Sequence, residues 1–505
     1  MMNMNKQLLH FNFFLILLLP ISFVIGPLIV EIISTILILQ FLYFSFKQKN
    51  FFYIKNKIFI FFILFYIFLL ITLFFSEYKH NIYVNIIFNF RFIFFAFAIH
   101  FFLISNFNFL KKIYIFLSLT ILIVIFDGFW QYFYDENLLG YKKYRVDRIS
   151  GFFKEDLVLG SFLSRLIPLH IGLTLFFKKN KRLTFVNSFI IIATIILILL
   201  SGDRAAFFKT IIFLVIIFII LNIRFKIKLG ILSSILFSVM VLILSNPILF
   251  DRYYKQTLRH LSNDNGKLLE FYSPMFNTSL KMFNSSKLIG HGPKSYRYLC
   301  NNKKYISYYP DYIKIDNTSL YLDLSWKEIR NFEITKFLVS EGDMIKKGDK
   351  LFEYKFLRDD EIKFFFSDKE GKINQILRKT KYVKNTKIMD ISPLNSPKKE
   401  FLKKNSCNTH PHNFYFQLLA ETGLIGFLFL LILFLYLGYI LLMSFINKFT
   451  KKKQQLSNIE LSLLAGFFVT VWPFTTNGNF FNNWIQLITF FPLGILIYIQ
   501  YLKRK

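Results

Sequence analysis

The chain has 505 residues, of which 54% are hydrophobic and 20% aromatic, and its formal net charge is +32. This apolar share exceeds that of soluble domains and predicts a membrane protein. The basic residues lie in short runs between apolar segments, as in loops at an anionic membrane surface, so the charge does not predict nucleic-acid binding. The many Phe, Ile, Lys and Asn residues are typical of AT-rich coding sequence, so the aromatic excess says little about function.

Apolar stretches of about 20 residues, the length that crosses a bilayer, occur along most of the chain. We predict an all-α polytopic membrane protein with about 12 transmembrane helices. Helices 1–9 fall in residues 1–249, a large loop occupies 250–413, and helices 10–12 fall in 414–505. The stretches are 8–25, 27–46, 52–75, 83–105, 112–134, 157–177, 183–201, 205–222, 228–249, 414–446, 459–476 and 481–502.

Lys and Arg residues are concentrated in alternate connections between these stretches. Because basic loops stay in the cytoplasm, both termini are predicted to be cytoplasmic and 250–413 to lie outside. A second long outer loop covers 135–156. In a bacterium this topology corresponds to a multi-pass protein of the inner membrane whose large loop is periplasmic.

The large outer loop changes character along its length. Residues 266–286 carry apolar positions at helical spacing, which predicts an amphipathic helix. From about residue 320 to 393 the pattern alternates with period two and contains turn signals, which predicts short strands. Segments 334–354 and 373–391 match each other and form an internal repeat.

The chain has two cysteines, Cys300 and Cys407. They bracket the predicted β segment on the outer side of the membrane, where thiols can oxidise. We predict that they form a disulfide; two free thiols are the alternative.

Three short motifs resemble segments of one family. His412-Asn413 is followed after nine residues by Gly423-Leu424-Ile425-Gly426, which resembles the H-[N/S/Q]-x9-G-x-x-G signature of O-antigen ligases and O-antigen polymerases. Ile289 to Arg297 resembles the family's G-x-G-P segment, and Ser201 to Ala206 resembles its S-G-x-R-x-A segment. The order and spacing of the motifs make the resemblance specific. It covers predicted spans five to twelve and both long outer loops but not the β segment.

The β segment resembles a lipoyl or biotinyl (hammerhead) domain through its E-G-D-x-I-x-x-G-D turn, which starts at Glu341. The corresponding hairpin tip falls at Asp359-Asp360, where no lysine stands to carry a prosthetic group. The resemblance therefore implies a small β barrel-sandwich (lipoyl-like) module at 320–393 without its cofactor, and we expect no cofactor elsewhere. The module could bind a periplasmic partner or glycan, or cover the site. An unrelated small β insert is the alternative.

The family resemblance implies a glycosyltransferase. Ligases of this family move a glycan from undecaprenyl diphosphate to lipid A-core, and polymerases move it to another lipid-linked repeat unit. Both reactions would be metal-independent and would invert the anomeric centre. Two other classes stay open: a transporter of lipid-linked sugars, and a membrane-anchored assembly protein in which the β module is the working part.

Such a transfer needs a base for the acceptor hydroxyl and fixed positive charge for the diphosphate. His412 suits the first role because imidazole titrates near neutral pH. Arginine suits the second because it holds phosphate oxygens with two N–H groups. We therefore predict His412, Arg204 and Arg148 as catalytic residues. The further predicted substrate-binding residues are Arg145, Arg91, Asn413 and Arg297.

Structural roles are the alternatives to these predictions. His412 could anchor a helix at the membrane interface, Arg204 could snorkel to it, and Arg148 could be a solvated loop charge. His410 and His412 together are a poor metal signature without a carboxylate cluster, so no metal is predicted. Arg91 lies within a predicted span and needs a partner, for which the sequence offers Asp127.

Overall fold

The computed structural model describes the chain in two compact units. The first contains Met1–Phe126, Val158–Ser307 and Asn405–Lys505; the second contains Asp127–Leu157 and Tyr308–Lys404. The described residues are 6–76, 78–105, 108–145, 147–177, 181–222, 224–261, 272–308, 312–313, 319–321, 332–356, 361–367, 370–378, 387–393, 401–402, 406–450 and 454–504.

The first unit is helical, and polar caps mark several helix starts. Asn56 caps α3, Asp203 caps α9, and Ser457 with Glu460 forms a capping box at α16. Helix α6 begins in the first unit and ends in the second. The helices are α1 (Lys6–Ile25), α2 (Pro27–Lys47), α3 (Lys57–Phe75), α4 (Lys79–Ile87), α5 (Arg91–Ile104), α6 (Asn108–Tyr134), α7 (Leu159–Phe176), α8 (Lys181–Leu200), α9 (Arg204–Ile220), α10 (Phe225–Ser245), α11 (Pro247–Phe250), α12 (Gln256–Leu261), α13 (Ser273–Ser285), α14 (Tyr296–Leu299), α15 (Phe414–Phe449), α16 (Asn458–Thr470) and α17 (Asn483–Arg504).

Within the described residues, nine helices are long and apolar enough to cross a membrane: α1, α2, α3, α4 together with α5, α6, α7, α10, α15 and α17. They indicate a multi-pass membrane protein. The other three predicted spans correspond to α8, α9 and α16, and α16 has only 13 residues. The total of about 12 therefore stays a prediction.

The predicted fourth span is interrupted. A 3-10 turn at Phe88–Phe90 separates α4 from α5, and Arg91 is the first residue of α5. Its guanidinium lies 3.0 Å from the carboxylate of Glu31 on α2. The sequence-based choice of Asp127 as the partner is therefore wrong. The carboxylate of Asp127 instead accepts the backbone N–H of Leu138 at 2.9 Å.

Small residues allow close helix contacts in the first unit. Gly172 of α7 packs against Ile459 of α16, and Gly466 of α16 packs against Pro168 of α7. The hydroxyl of Ser462 donates to the carbonyl of Pro168 at 2.7 Å. These contacts fix α16 and, with it, the loop that follows α16.

The second unit contains two larger sheets. One has the order β2-β8-β7-β4 and the other β3-β5-β6, while β1 pairs with β9. All pairings are antiparallel. The strands are β1 (Tyr312–Ile313), β2 (Ser319–Tyr321), β3 (Phe332–Phe337), β4 (Met344–Ile345), β5 (Lys350–Phe356), β6 (Lys363–Phe366), β7 (Gly371–Ile376), β8 (Lys387–Pro393) and β9 (Phe401–Leu402).

One apolar core joins residues of both larger sheets. Ile345, Ile373 and Ile391 come from the first sheet, and Leu351 and Phe352 from β5 of the second. Strand β4, in the first repeat copy, pairs with the start of β7, which continues into the second copy. The predicted short strands are confirmed, and the lipoyl-like barrel stays a prediction. The predicted hairpin tip Asp359-Asp360 lies outside the described residues.

Two further predictions concern the base of the large loop. The amphipathic helix is present as α13, although residues 266–271 lie outside the described residues. The Cys300–Cys407 disulfide is confirmed, with a Cα–Cα distance of 5.0 Å across a sequence separation of 107. Beside it, the backbone N–H of Ser406 donates to the carbonyl of Ser307 at 3.0 Å. The two ends of the β segment are thereby held together.

Candidate active site around His412

His412 lies two residues before α15 and has an unusual backbone conformation. Its φ is 58°, in the left-handed region that non-glycine residues seldom adopt. The carbonyl of His412 accepts the backbone N–H of Asn477 at 2.8 Å. Asn477 follows α16 in the chain, so a loop far away in sequence helps to hold the strained residue.

The rings of His410 and His412 lie side by side, with centroids 4.3 Å apart. The amide nitrogen of Asn408 lies 3.0 Å from Nε2 of His412, and an amide donor there favours the tautomer with its proton on Nδ1. Burial lowers the pKa of His412 below its ordinary value. Burial, and next the neighbouring His412, lowers the pKa of His410 to about 3. Both imidazoles are therefore neutral at pH 7.

Asn413 caps helix α15. Its side-chain oxygen accepts the backbone N–H groups of Tyr415 at 2.9 Å and Phe416 at 3.3 Å. Its side-chain nitrogen donates to the carbonyls of Pro473 at 2.8 Å and Thr475 at 3.4 Å. These four bonds use the whole side chain. The geometry favours a structural role for Asn413 over the predicted substrate-binding role.

Helix α15 bends at Gly423, where φ is +62° and the dihedrals are not helical. The turn at Gly290 packs directly onto this bend. A Cβ atom at Gly290 would lie 2.5 Å from the backbone nitrogens of Thr422 and Gly423. Beside the bend, the N–H of Leu424 donates to the carbonyl of Lys287 at 2.8 Å. The glycines of both motifs thus allow a contact between two backbones.

The carboxylate of Glu421 is fully buried and joins this turn to the helix. It accepts the backbone N–H groups of Lys294 at 2.8 Å and Tyr296 at 3.2 Å. It also accepts the side-chain amide of Gln417 at 3.0 Å. Gln417 in turn donates to the side chain of Asn479 at 2.9 Å. A buried polar network therefore supports the first turns of α15.

A group of cations surrounds the turn that precedes α9. The side chain of Asp203 caps α9 through the N–H of Ala206. Arg204 donates to the hydroxyl of Thr257 at 3.2 Å, and Arg252 donates to the carbonyl of Gly202 at 2.9 Å. The charges of Arg204 and Arg252 both reach Tyr272, whose pKa is raised by burial. Arg252 was missed in the sequence because it stands outside the three motifs.

The loop Thr475–Asn477 connects this cation group to His412. The side chain of Tyr272 hydrogen-bonds Thr476. The ammonium of Lys209, on the helix that starts at Arg204, donates to the side-chain oxygen of Asn477. Asn477 also holds the backbone of His412. The loop therefore contacts the predicted base directly, and it is linked to Arg204 through Tyr272 and through Lys209 on the same helix as Arg204.

A second group of charges includes two predicted binding residues. The charges of Arg297 and Arg91 both reach Lys294, and burial together with these charges lowers the pKa of Lys294 to about 8. The charge of Arg297 also reaches His410. Lys294 donates to the side chain of Asn85 at 2.6 Å. Arg297 therefore interacts electrostatically with His410 and with Lys294. Lys294 in turn interacts with Arg91 and Glu31.

Arg145 and Arg148 belong to the second unit, where they form an isolated antiparallel bridge. Arg145 holds Asp147 with two N–H groups, at 2.8 and 3.0 Å. This pairing occupies the Nε/Nη2 edge of the guanidinium and pairs its charge with a carboxylate. Arg148 donates to the carbonyl of Leu157 at 3.0 Å.

In the part of the chain that the structure describes, no group of three His, Cys, Asp or Glu side chains is arranged to hold a metal ion. The sequence places Glu421 on the motif helix and favours a structural role for it, and its hydrogen bonds agree with that role. Sequence reasoning missed Gln417, which lies midway between Asn413 and Glu421 at four-residue spacing on an otherwise apolar helix, a signal that could have identified it. Lys209 is a cation within an apolar helix and gave a similar signal.

No family model matches this chain, and no curated protein matches it in sequence.

Proposed function

We propose that the protein is an O-antigen ligase-like glycosyltransferase of the bacterial inner membrane. It moves a glycan from undecaprenyl diphosphate to lipid A-core on the periplasmic face. The observation that carries the proposal is that the loop Thr475–Asn477 holds the backbone of a neutral histidine, His412, and also bonds Tyr272, on which the charges of Arg204 and Arg252 act. We propose the family from the three sequence motifs. They lie in the turn before α9, in the turn at Gly290 and at the start of α15.

His412 serves as the base. The acceptor hydroxyl replaces the amide of Asn408 at Nε2, whose lone pair can accept a proton because the ring proton sits on Nδ1. A pKa below the ordinary value keeps the imidazole neutral and ready to accept a proton at pH 7. His410 stays neutral as well, so it does not repel the imidazolium that forms.

Arg204 and Arg252 hold the diphosphate. As the acceptor oxygen attacks C1 of the sugar, the bond from C1 to the diphosphate oxygen breaks and negative charge develops on the leaving group. Fixed guanidinium groups stabilise that charge without reorganisation. Direct attack inverts the anomeric centre, and the proton remains on His412 until water removes it.

The other predicted residues take different positions in this proposal. Arg148 belongs to the second unit, and its catalytic role stays a prediction from the sequence. Arg297 is assigned to the acceptor because its charge reaches His410. Arg91 and Arg145 already hold Glu31 and Asp147, so we assign them to support of the fold.

The test is transfer in detergent from a defined polyprenyl diphosphate-linked oligosaccharide, with lipid A-core and a lipid-linked repeat unit offered in separate reactions. Glycan on lipid A-core is the expected product. A lengthened lipid-linked glycan would identify a polymerase. Absence of both products, with folded wild-type protein, would overturn the proposal.

A further inference from the structure

Lys209 is a buried cation that takes no part in the proposed transfer reaction. Its residue is 8% exposed, and it lies on α9, five residues after Arg204. The charge of Arg165 on α7 repels it, and the charge of Asp203 attracts it. Keeping a lysine at such a place is costly, which indicates that its hydrogen bonds have a specific purpose.

Among the described residues, the hydrogen-bond partners of Lys209 lie in the loop after α16. Its ammonium donates to the side-chain oxygen of Asn477 and, at 3.5 Å, to the carbonyl of Thr476. Asn477 is 6% exposed, and its side-chain nitrogen donates to the carbonyl of Thr475 at 3.3 Å. The Asn477 side chain is therefore fixed at both ends.

The backbone of Asn477 contacts both histidines. Its N–H donates to the carbonyl of His412 at 2.8 Å, and its carbonyl lies 3.3 Å from Nε2 of His410. Because His412 is held in a strained left-handed conformation, it needs such external support. A displacement of Asn477 would therefore shift both histidines.

From this geometry we infer that Lys209 is a positioning residue for His412, acting through Asn477. The inference rests on the proposed function, in which His412 is the base. Lys209 fixes the side chain of Asn477, and the backbone of Asn477 holds the backbone carbonyl of His412 and the ring of His410. A misplacement of about 1 Å can lower a rate on the order of 100-fold without altering substrate binding.

The first test is a double-mutant cycle measured by glycan transfer. Lys209→Met and Asn477→Ala should each lower kcat by about 10- to 100-fold, while the donor Kd changes less than about twofold. The double variant should be no worse than the poorer single variant, because both changes break one connection. Asn477→Asp retains an oxygen for Lys209 and should keep most activity. A donor Kd that weakens as much as kcat falls would overturn the inference and make Lys209 a direct diphosphate ligand.

The second test does not depend on activity. Diethyl pyrocarbonate modifies neutral imidazoles, and mass spectrometry can follow its reaction at His410 and His412 separately. Modification should become several-fold faster in Lys209→Met. Lys228→Met is the matched control, because Lys228 is a lysine that donates to the backbone carbonyls of Phe218 and Leu221. Equal modification rates in wild type and Lys209→Met would overturn the inference.

The two tests separate the inference from the proposed function. If folded wild-type protein transfers no glycan, the proposed function fails, and the modification rates still decide whether Lys209 positions the histidines. If the wild-type protein is active and Lys209→Met matches it in kcat and in modification rate, the inference alone fails.

Discussion

A Cβ atom at Gly290 would lie 2.5 Å from the backbone nitrogen of Gly423, so these two motif glycines hold two backbones in direct contact. Both residues have positive φ, at 73° and 62°. Neither the space nor the conformation suits another residue. The glycine motifs around His412 therefore have a structural cause that does not depend on any substrate.

Gly290→Ala should destabilise the protein by more than about 2 kcal/mol, because the turn must move away from α15. Gly230→Ala is the matched control: Gly230 lies in helix α10, and a Cβ atom there would have no neighbouring atom within 4 Å. The control should therefore be neutral or slightly stabilising. Thermal unfolding in detergent measures both. Equal melting temperatures for the two variants would contradict the proposed backbone contact.

Removal of the Cys300–Cys407 bridge should lower the free energy of unfolding by about 4 to 5 kcal/mol on the chain-entropy model, because the bridge closes a long loop. The double variant Cys300→Ala/Cys407→Ala and reduced wild-type protein should unfold at similar temperatures. Reductant should have no effect on the double variant. Free thiols at both positions in the unreduced wild-type protein would contradict the bridge.

The histidine pair predicts a loss of stability in acid. Burial lowers the pKa of His410 to about 3, whereas the unfolded chain titrates near the ordinary value of 6.5. Below pH 6.5 the unfolded state therefore binds more protons, and the free energy of unfolding falls as pH falls, by up to about 1.4 kcal/mol per pH unit.

Melting temperatures of wild type and His410→Gln between about pH 8 and about pH 5 test this sign. The variant should show a weaker fall below pH 6.5 and the same slope as wild type above about pH 7.5. Parallel curves over the whole range would show that His410 does not cause the acid dependence.

The apolar helices and the short strands were predictable from sequence, because apolar stretches and period-two alternation are local patterns; the orientation read from the basic loops stays a prediction. Two local features of α15 also occur at motif residues: the helix starts after Asn413, and it bends at Gly423. The disulfide could be predicted because only two cysteines occur and they bracket the predicted β segment.

The contacts between distant segments could not be predicted. Glu31 as the partner of Arg91, and Asn477 as the support for His412, depend on how helices pack, and a single sequence does not encode that pairing as a local pattern. The sequence predicted a substrate-binding role for Asn413 because it is a polar residue beside the candidate base. The geometry shows instead that its side chain caps α15 and bonds the loop after α16.

Arg204→Lys should weaken donor binding by about 10- to 100-fold, because an ammonium cannot replace the two-pronged hydrogen bonding of a guanidinium. Arg224→Lys, an exposed arginine before α10, is the matched control and should bind the donor normally. Binding of a fluorescent polyprenyl diphosphate glycan to purified protein measures both. Unchanged affinity in Arg204→Lys would remove Arg204 from the diphosphate site.

The most direct test of His412 as the base is the transfer rate of His412→Ala with donor affinity measured separately. Loss of general base catalysis should lower turnover on the order of 100-fold or more, with donor Kd nearly unchanged. The matched control is His80→Ala, because His80 is an exposed histidine on α4, and this variant should have normal activity. A chelator added in parallel should leave the wild-type rate unaltered. Full activity in His412→Ala would contradict the base assignment, and activity lost to the chelator would indicate a metal-dependent reaction instead.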